Sequence, residues 1–177
     1  MIDADRLRLW SMRALYVALA GVLLFLNLLP FSGLPRAWSG PDFLLALTFA
    51  WAIRRPDYVP IWLIAAVMLT ADLVLQRPPG LWAALAVMMA ENLKTRGPRQ
   101  KEGSFALEWT SVALALLGMT AIYQIVKLLL IVPPMAWTLA LTQLIATVAV
   151  YPLAVGVSIL IFGRGTLGES DRLGQGL

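Results

Sequence analysis

Residues 41–81 read PDFLLALTFAWAIRRPDYVPIWLIAAVMLTADLVLQRPPGL. Two apolar segments, residues 43–53 and 59–75, are joined by the basic turn Arg54-Arg55-Pro56-Asp57. Pro56 cannot continue a helix, and it biases Arg55 away from the helical region. Two arginines at the end of an apolar helix read as an anchor at the membrane–water boundary, and they favour the cytoplasmic side. The second segment carries one carboxylate, Asp72, close to its far end. The turn therefore fixes a depth and an orientation, and the other segments are placed from it.

Composition supports the same reading. Hydrophobic residues make up 60% of the chain and charged residues 14%, against about 45–50% and about 25% in soluble domains. An integral membrane protein with no sizeable soluble part is expected. The net charge of +4 does not point to nucleic acid, because the basic residues gather at the ends of apolar segments. The chain has no cysteine and no histidine. Disulfides, thiolate metal sites and the commonest general base are thereby excluded, and no metal or cofactor is expected.

Outward from the central stretch, four further apolar runs appear. Residues 1–13 are polar and expected in the cytoplasm, with Arg6, Arg8 and Arg13. Residues 14–29 form a first helix ended by Pro30; a signal peptide would begin similarly, but no small-x-small cleavage site follows. Trp38 is placed at headgroup level, Pro41 opens the second helix, and Asp42 suits the positive end of its dipole. The second helix is short: residues 42–55 span about 21 Å against a hydrocarbon core of about 30 Å. Residues 80–93 form another short helix, rich in alanines that permit close helix approach. Residues 94–104 are a polar linker around Gly97-Pro98. Residues 105–132 form a fifth helix, and Pro133-Pro134 turns the chain. Residues 135–162 form a sixth, with Pro152 as its kink. Residues 163–177 read as a flexible cytoplasmic tail.

The expected fold is thus an all-α membrane domain over residues 14–162, with six transmembrane helices and both termini inside. The charge distribution favours this topology. Arg6, Arg8, Arg13, Arg54, Arg55, Lys94, Arg96, Arg99, Lys101, Arg164 and Arg172 fall inside, and Arg36 and Arg77 outside. A five-helix arrangement would put the 94–104 loop or the basic tail outside.

Three ionisable groups lie in apolar runs: Asp72, Lys127 and Glu91. Such groups are costly in lipid and face the bundle or find a partner. Asp72 and Lys127 share a depth near the outer side, so they are expected to form an ion pair or to share a polar pocket. The plainer alternative has Lys127 snorkelling to the headgroups while Asp72 caps or is solvated near Arg77. Glu91 reads as a snorkelling carboxylate with Lys94 nearby, and Arg54 and Arg55 as topology anchors. No nucleophile elbow, zincin motif, P-loop or aspartate pair is present, so an enzyme is not expected.

Pro41-Asp42 before an apolar run, Trp51 with Arg54-Arg55-Pro56, then Pro60 and Trp62, Asp72-Leu73 and Pro79-Gly80-Leu81 together resemble the MreD family of rod-shape-determining membrane proteins. The resemblance covers about a quarter of the chain. Met68 stands where the family has a glycine, and Arg77 where it has a small residue. The matching positions are Pro41, Asp42, Arg54, Arg55, Pro56, Asp72 and Gly80. The resemblance implies a helix arrangement similar to the substrate-binding membrane subunits of energy-coupling-factor transporters, and it carries over no catalytic residue. It also implies a place in the bacterial cytoplasmic (inner) membrane, in the peptidoglycan-synthesising elongation machinery. There the partners would be an MreC-like bitopic protein, a RodA-like glycosyltransferase with its transpeptidase, and the MreB cytoskeleton indirectly.

Two functional expectations result. One is a non-enzymatic scaffold that offers lipid-embedded faces to partner helices. The other is a small-molecule or lipid-binding membrane subunit of a transporter, with Asp72 and Lys127 lining its pocket.

Overall fold

The computed structural model describes the backbone of residues 2–29, 39–101, 105–131 and 135–173, and the side chains of residues 5–29, 39–96, 105–131 and 135–162. The expected interfacial Trp38 and the Pro133-Pro134 turn lie outside the described residues. Six α-helices follow one another: α1 (Ile2–Leu28), α2 (Phe43–Arg54), α3 (Ile61–Val74), α4 (Leu81–Lys101), α5 (Phe105–Leu129) and α6 (Trp137–Leu173). No strand occurs among the described residues.

Helix α2 is the axis of the bundle. Its sequence is apolar on every side, and a helix of that kind belongs in an interior. Every residue from 44 to 53 is buried. It starts where Asp42 takes the N-cap and its Oδ1 accepts the Leu45 N–H at 3.0 Å. It stops where Arg55 donates its N–H to the Trp51 carbonyl at 2.8 Å and Pro56 begins a 3-10 turn, Pro56–Tyr58. α2 lies between α4 and α6, with α1 and the 3-10 turn also against it. α3 packs on α4 and α1, and α5 joins α4 to α6.

Around the Arg54 end of α2 the core is aromatic. The Trp51 ring lies 5.6 Å from Tyr16, 6.4 Å from Tyr58 and 5.0 Å from Phe162. Offset and tilted rings of this kind add attraction beyond their buried area. Tyr16 and Thr48 hydroxyls meet at 2.8 Å. Thr48 gives its own proton to the Leu44 carbonyl at 2.7 Å, so Tyr16 is the donor to it. This bond ties α1 to the axis.

α1, α5 and α6 face outward. Their most apolar stretches are only 17%, 22% and 22% buried, so Phe25, Leu117, Ile125, Leu153 and Leu160 lie exposed on the perimeter. Each is long and apolar enough to cross a bilayer, whereas α2 and α3 are shorter apolar helices. A perimeter of this size and polarity fits lipid rather than water.

The elements depart from the sequence reading in three places. α1 begins at Ile2, so the polar N-terminal arm is part of the first helix: charge alone does not stop a helix. α4 runs to Lys101 and takes in most of the polar linker. α6 runs to Leu173, past the end expected at Phe162. It also carries on through Pro152, which has no N–H for the carbonyl of Val148 one turn back. The indole N–H of Trp109 on α5 reaches that carbonyl instead, at 2.9 Å. A neighbouring helix thereby satisfies the group that the proline strands, as interiors poor in water require.

Candidate functional site

The charged and polar groups of the bundle gather at its two ends. At one end lie the start of α2, the α3–α4 turn, and the facing ends of α5 and α6. Asp42 is the junction there. Its backbone N–H donates to Thr147 Oγ1 of α6 at 2.9 Å, and its Oδ1 caps α2. Its Oδ2 accepts from Arg77 at 3.4 Å.

The α3–α4 turn is built with equal economy. Gln76 sits at φ 53°, in the left-handed region. The Gln76 N–H bonds the Leu73 carbonyl at 3.3 Å and the Arg77 N–H bonds that of Asp72 at 2.9 Å. That pair of bonds is a Schellman C-cap, with glutamine where glycine is usual. Pro78-Pro79 then bars any continuation, and Gly80 takes φ 85°, which costs a glycine little.

Gly80 has no side chain with which to cap α4, and Asp72 of α3 supplies the cap. Its Oδ2 accepts the Gly80 N–H at 3.0 Å and the Ala83 N–H at 3.1 Å. These are the N-cap and third donors of α4, and a carboxylate there also meets the positive end of the dipole. Asp72 Oδ1 has no hydrogen-bond partner among the described residues.

Asp72 and Lys127 do not form an ion pair. The Lys127 ammonium lies over the Tyr123 ring, 5.5 Å from its centre, and has no other partner among the described residues. The two share an end of the bundle but not a contact. Arg77 lies over Trp82 at 5.2 Å, and Trp82 meets Tyr123 edge-on at 4.9 Å. The two cations thus stand on two touching rings.

Those rings wall a cavity of about 310 Å³. Asp42, Arg77 and Lys127 line it together with Leu45, Leu116 and Leu144. Two buried groups on its wall have no hydrogen-bond partner among the described residues: the Trp82 indole N–H and Gln124 Oε1. Gln124 spends its amide nitrogen on the Met135 carbonyl at 2.7 Å.

At the opposite end Arg54, expected as a topology anchor, is a bonded residue of the bundle. It pairs with Glu108 of α5 at 3.0 Å, and the Tyr151 hydroxyl of α6 donates to the other Glu108 oxygen at 2.7 Å. Sequence reasoning missed Glu108. It stands in the first turn of α5, where an acid needs no partner to be reasonable. Lys94 bonds Glu91 and the Val59 carbonyl, each at 2.6 Å. Arg13 donates to the Asp57 carbonyl at 3.2 Å. Arg55 is exposed and lies over Tyr58 at 6.0 Å, while Pro56 opens the 3-10 turn. Pro41 precedes the N-cap and accepts the Phe43 N–H at 3.1 Å. Among the described residues no three acidic side chains converge as metal ligands.

Comparison of the chain with family models, with characterised proteins and with solved structures returned no match.

Proposed function

We propose that the chain is a non-enzymatic scaffold of the bacterial cytoplasmic membrane, an MreD-like part of the cell-elongation machinery. In this reading all six helices lie in the membrane and both termini face the cytoplasm. Its partners are a bitopic MreC-like protein and, directly or through it, a RodA-like glycosyltransferase and its transpeptidase.

One observation carries the reading: three of the four charged residues of the resemblance motif, all but Arg55, are bonded into the frame. Asp42 caps α2, Asp72 caps α4, and Arg54 joins α2 to α5. A motif spent on helix ends and helix pairs specifies a shape, and a shape with apolar outer faces is what partner helices read. α2 is about 18 Å long, well short of the membrane's apolar thickness of about 30 Å. Its two ends are covered by polar side chains of neighbouring helices, which is how a short central helix is accommodated.

Two experiments test this. A chain without cysteine lends itself to single-cysteine labelling in native membranes. A cysteine at Gly97 should be inaccessible to an impermeant reagent added from outside, and one at Gln76 accessible. The reverse pattern rules out the topology. Co-expression with a bitopic MreC-like protein should give a detergent-stable complex, and a correctly folded chain that captures none removes the scaffold reading.

A further inference from the structure

The cavity between α2, the α3–α4 turn, α5 and α6 has features that the scaffold reading does not use, and the chemistry of its lining is independent of that reading. Two cations, Arg77 and Lys127, face it against one carboxylate, Asp42. Asp42 holds Arg77 loosely, at 3.4 Å, and has its other oxygen committed to the α2 cap. Lys127 has no anion among the described residues. The lining residues therefore carry one positive charge in excess, while the Asp72 carboxylate lies outside the lining, turned to the N–H groups of Gly80 and Ala83. The Trp82 N–H and Gln124 Oε1 are closed off within the cavity wall, so the groups that face a ligand are the charged ones and the hydroxyls of Thr120 and Thr147.

Shape narrows the ligand. About 310 Å³ is the room of roughly ten water molecules at about 30 Å³ each. That accommodates a phosphoglycerol-sized headgroup but not a two-chain lipid. Leu45, Leu116 and Leu144 add apolar surface to the charged lining. Sites of this construction take amphipathic molecules oriented by a few polar groups.

We propose that this cavity binds a phosphate ester. Its anion sits between Arg77 and Lys127, and the leucines of the lining take the apolar part of the molecule. The ester is the headgroup of an anionic lipid or a soluble molecule of the same chemistry. Arginine suits the phosphate through its planar fork and lysine as a point charge.

Native mass spectrometry of the full chain in detergent, titrated with lysophosphatidylglycerol and with lysophosphatidylcholine, tests the proposal. The anionic probe should bind at least tenfold more tightly. Lys127→Gln should weaken it about fivefold and Lys127→Glu more, with thermal unfolding unchanged, because Lys127 contacts only a ring. Arg96→Gln, at the other end of α4, should have no effect. Glycerol 3-phosphate that competes at similar concentration identifies a soluble ester, and failure to compete identifies a lipid. Equal binding of the two lysolipids, or undiminished binding by Lys127→Glu, overturns the proposal and leaves a cavity that holds only water.

Discussion

Each end of α2 carries an indole N–H without a partner among the described residues, Trp51 at one and Trp82 at the other. Trp51 is sealed among Tyr16, Tyr58 and Phe162. Trp82 stands on the wall of a cavity. The carboxylates differ in the same way. Glu108 divides its two oxygens between Arg54 and Tyr151, on two other helices, whereas Asp42 and Asp72 put theirs mainly into backbone caps beside an open space. One end is filled by side chains that bond one another. The other is held by caps, with Arg77 at 3.4 Å from Asp42 and Lys127 without an anion among the described residues. Among the described residues the bundle is thus fixed at both ends by different means, and the Asp42 end encloses a cavity.

The largest test of this contrast is Glu108→Leu. Arg54 and Tyr151 would both lose their partner in a mostly buried place, with an expected loss of about 3 kcal/mol in reversible detergent unfolding. Removing Arg54 as well should recover part of it; a loss no greater than for an exposed glutamate would undo the claim that this end is bonded shut. Next, Asp72→Ala should cost about 2 kcal/mol through the two lost caps. Asp72→Asn should cost less, since an amide oxygen can still accept. Equal losses would mean that charge rather than geometry matters there. Gln76→Gly should raise stability by about 0.5 kcal/mol, because relief of the left-handed conformation is partly offset by unfolded-state entropy. Smallest of all, Lys127→Gln should leave the unfolding temperature where it was. A clear fall would show that Lys127 supports the fold and would blur the distinction between the two ends.

Much of the axis was legible. The Arg54-Arg55-Pro56 stop follows from proline chemistry confined to a few neighbouring residues, and the helix ends there; its start was expected at Pro41, whereas Asp42 is the N-cap and Phe43 the first helical residue. That Asp72 and Lys127 lie toward one end of the bundle was legible too, from their positions along α3 and α5. Contact was not. Position along a helix follows from residue count, but the direction in which a side chain points around its bundle depends on how every helix is rotated. The Arg54–Glu108 pair spans 54 positions and two helices, and no local pattern announces it. The expected six crossings rested on hydropathy and basic residues. Hydropathy identifies α1, α5 and α6 on length and composition, but leaves α2 and α3 too short to identify in that way.

The bond between Trp109 and the Val148 carbonyl links two motions that would otherwise be separate. A proline inside a helix ordinarily leaves a joint at which the two halves swing. Here the oxygen bared by Pro152 is grasped from the adjacent helix, so any swing of α6 draws on α5. The cavity lies along the seam between these same two helices, and prising that seam apart would have to break this clasp.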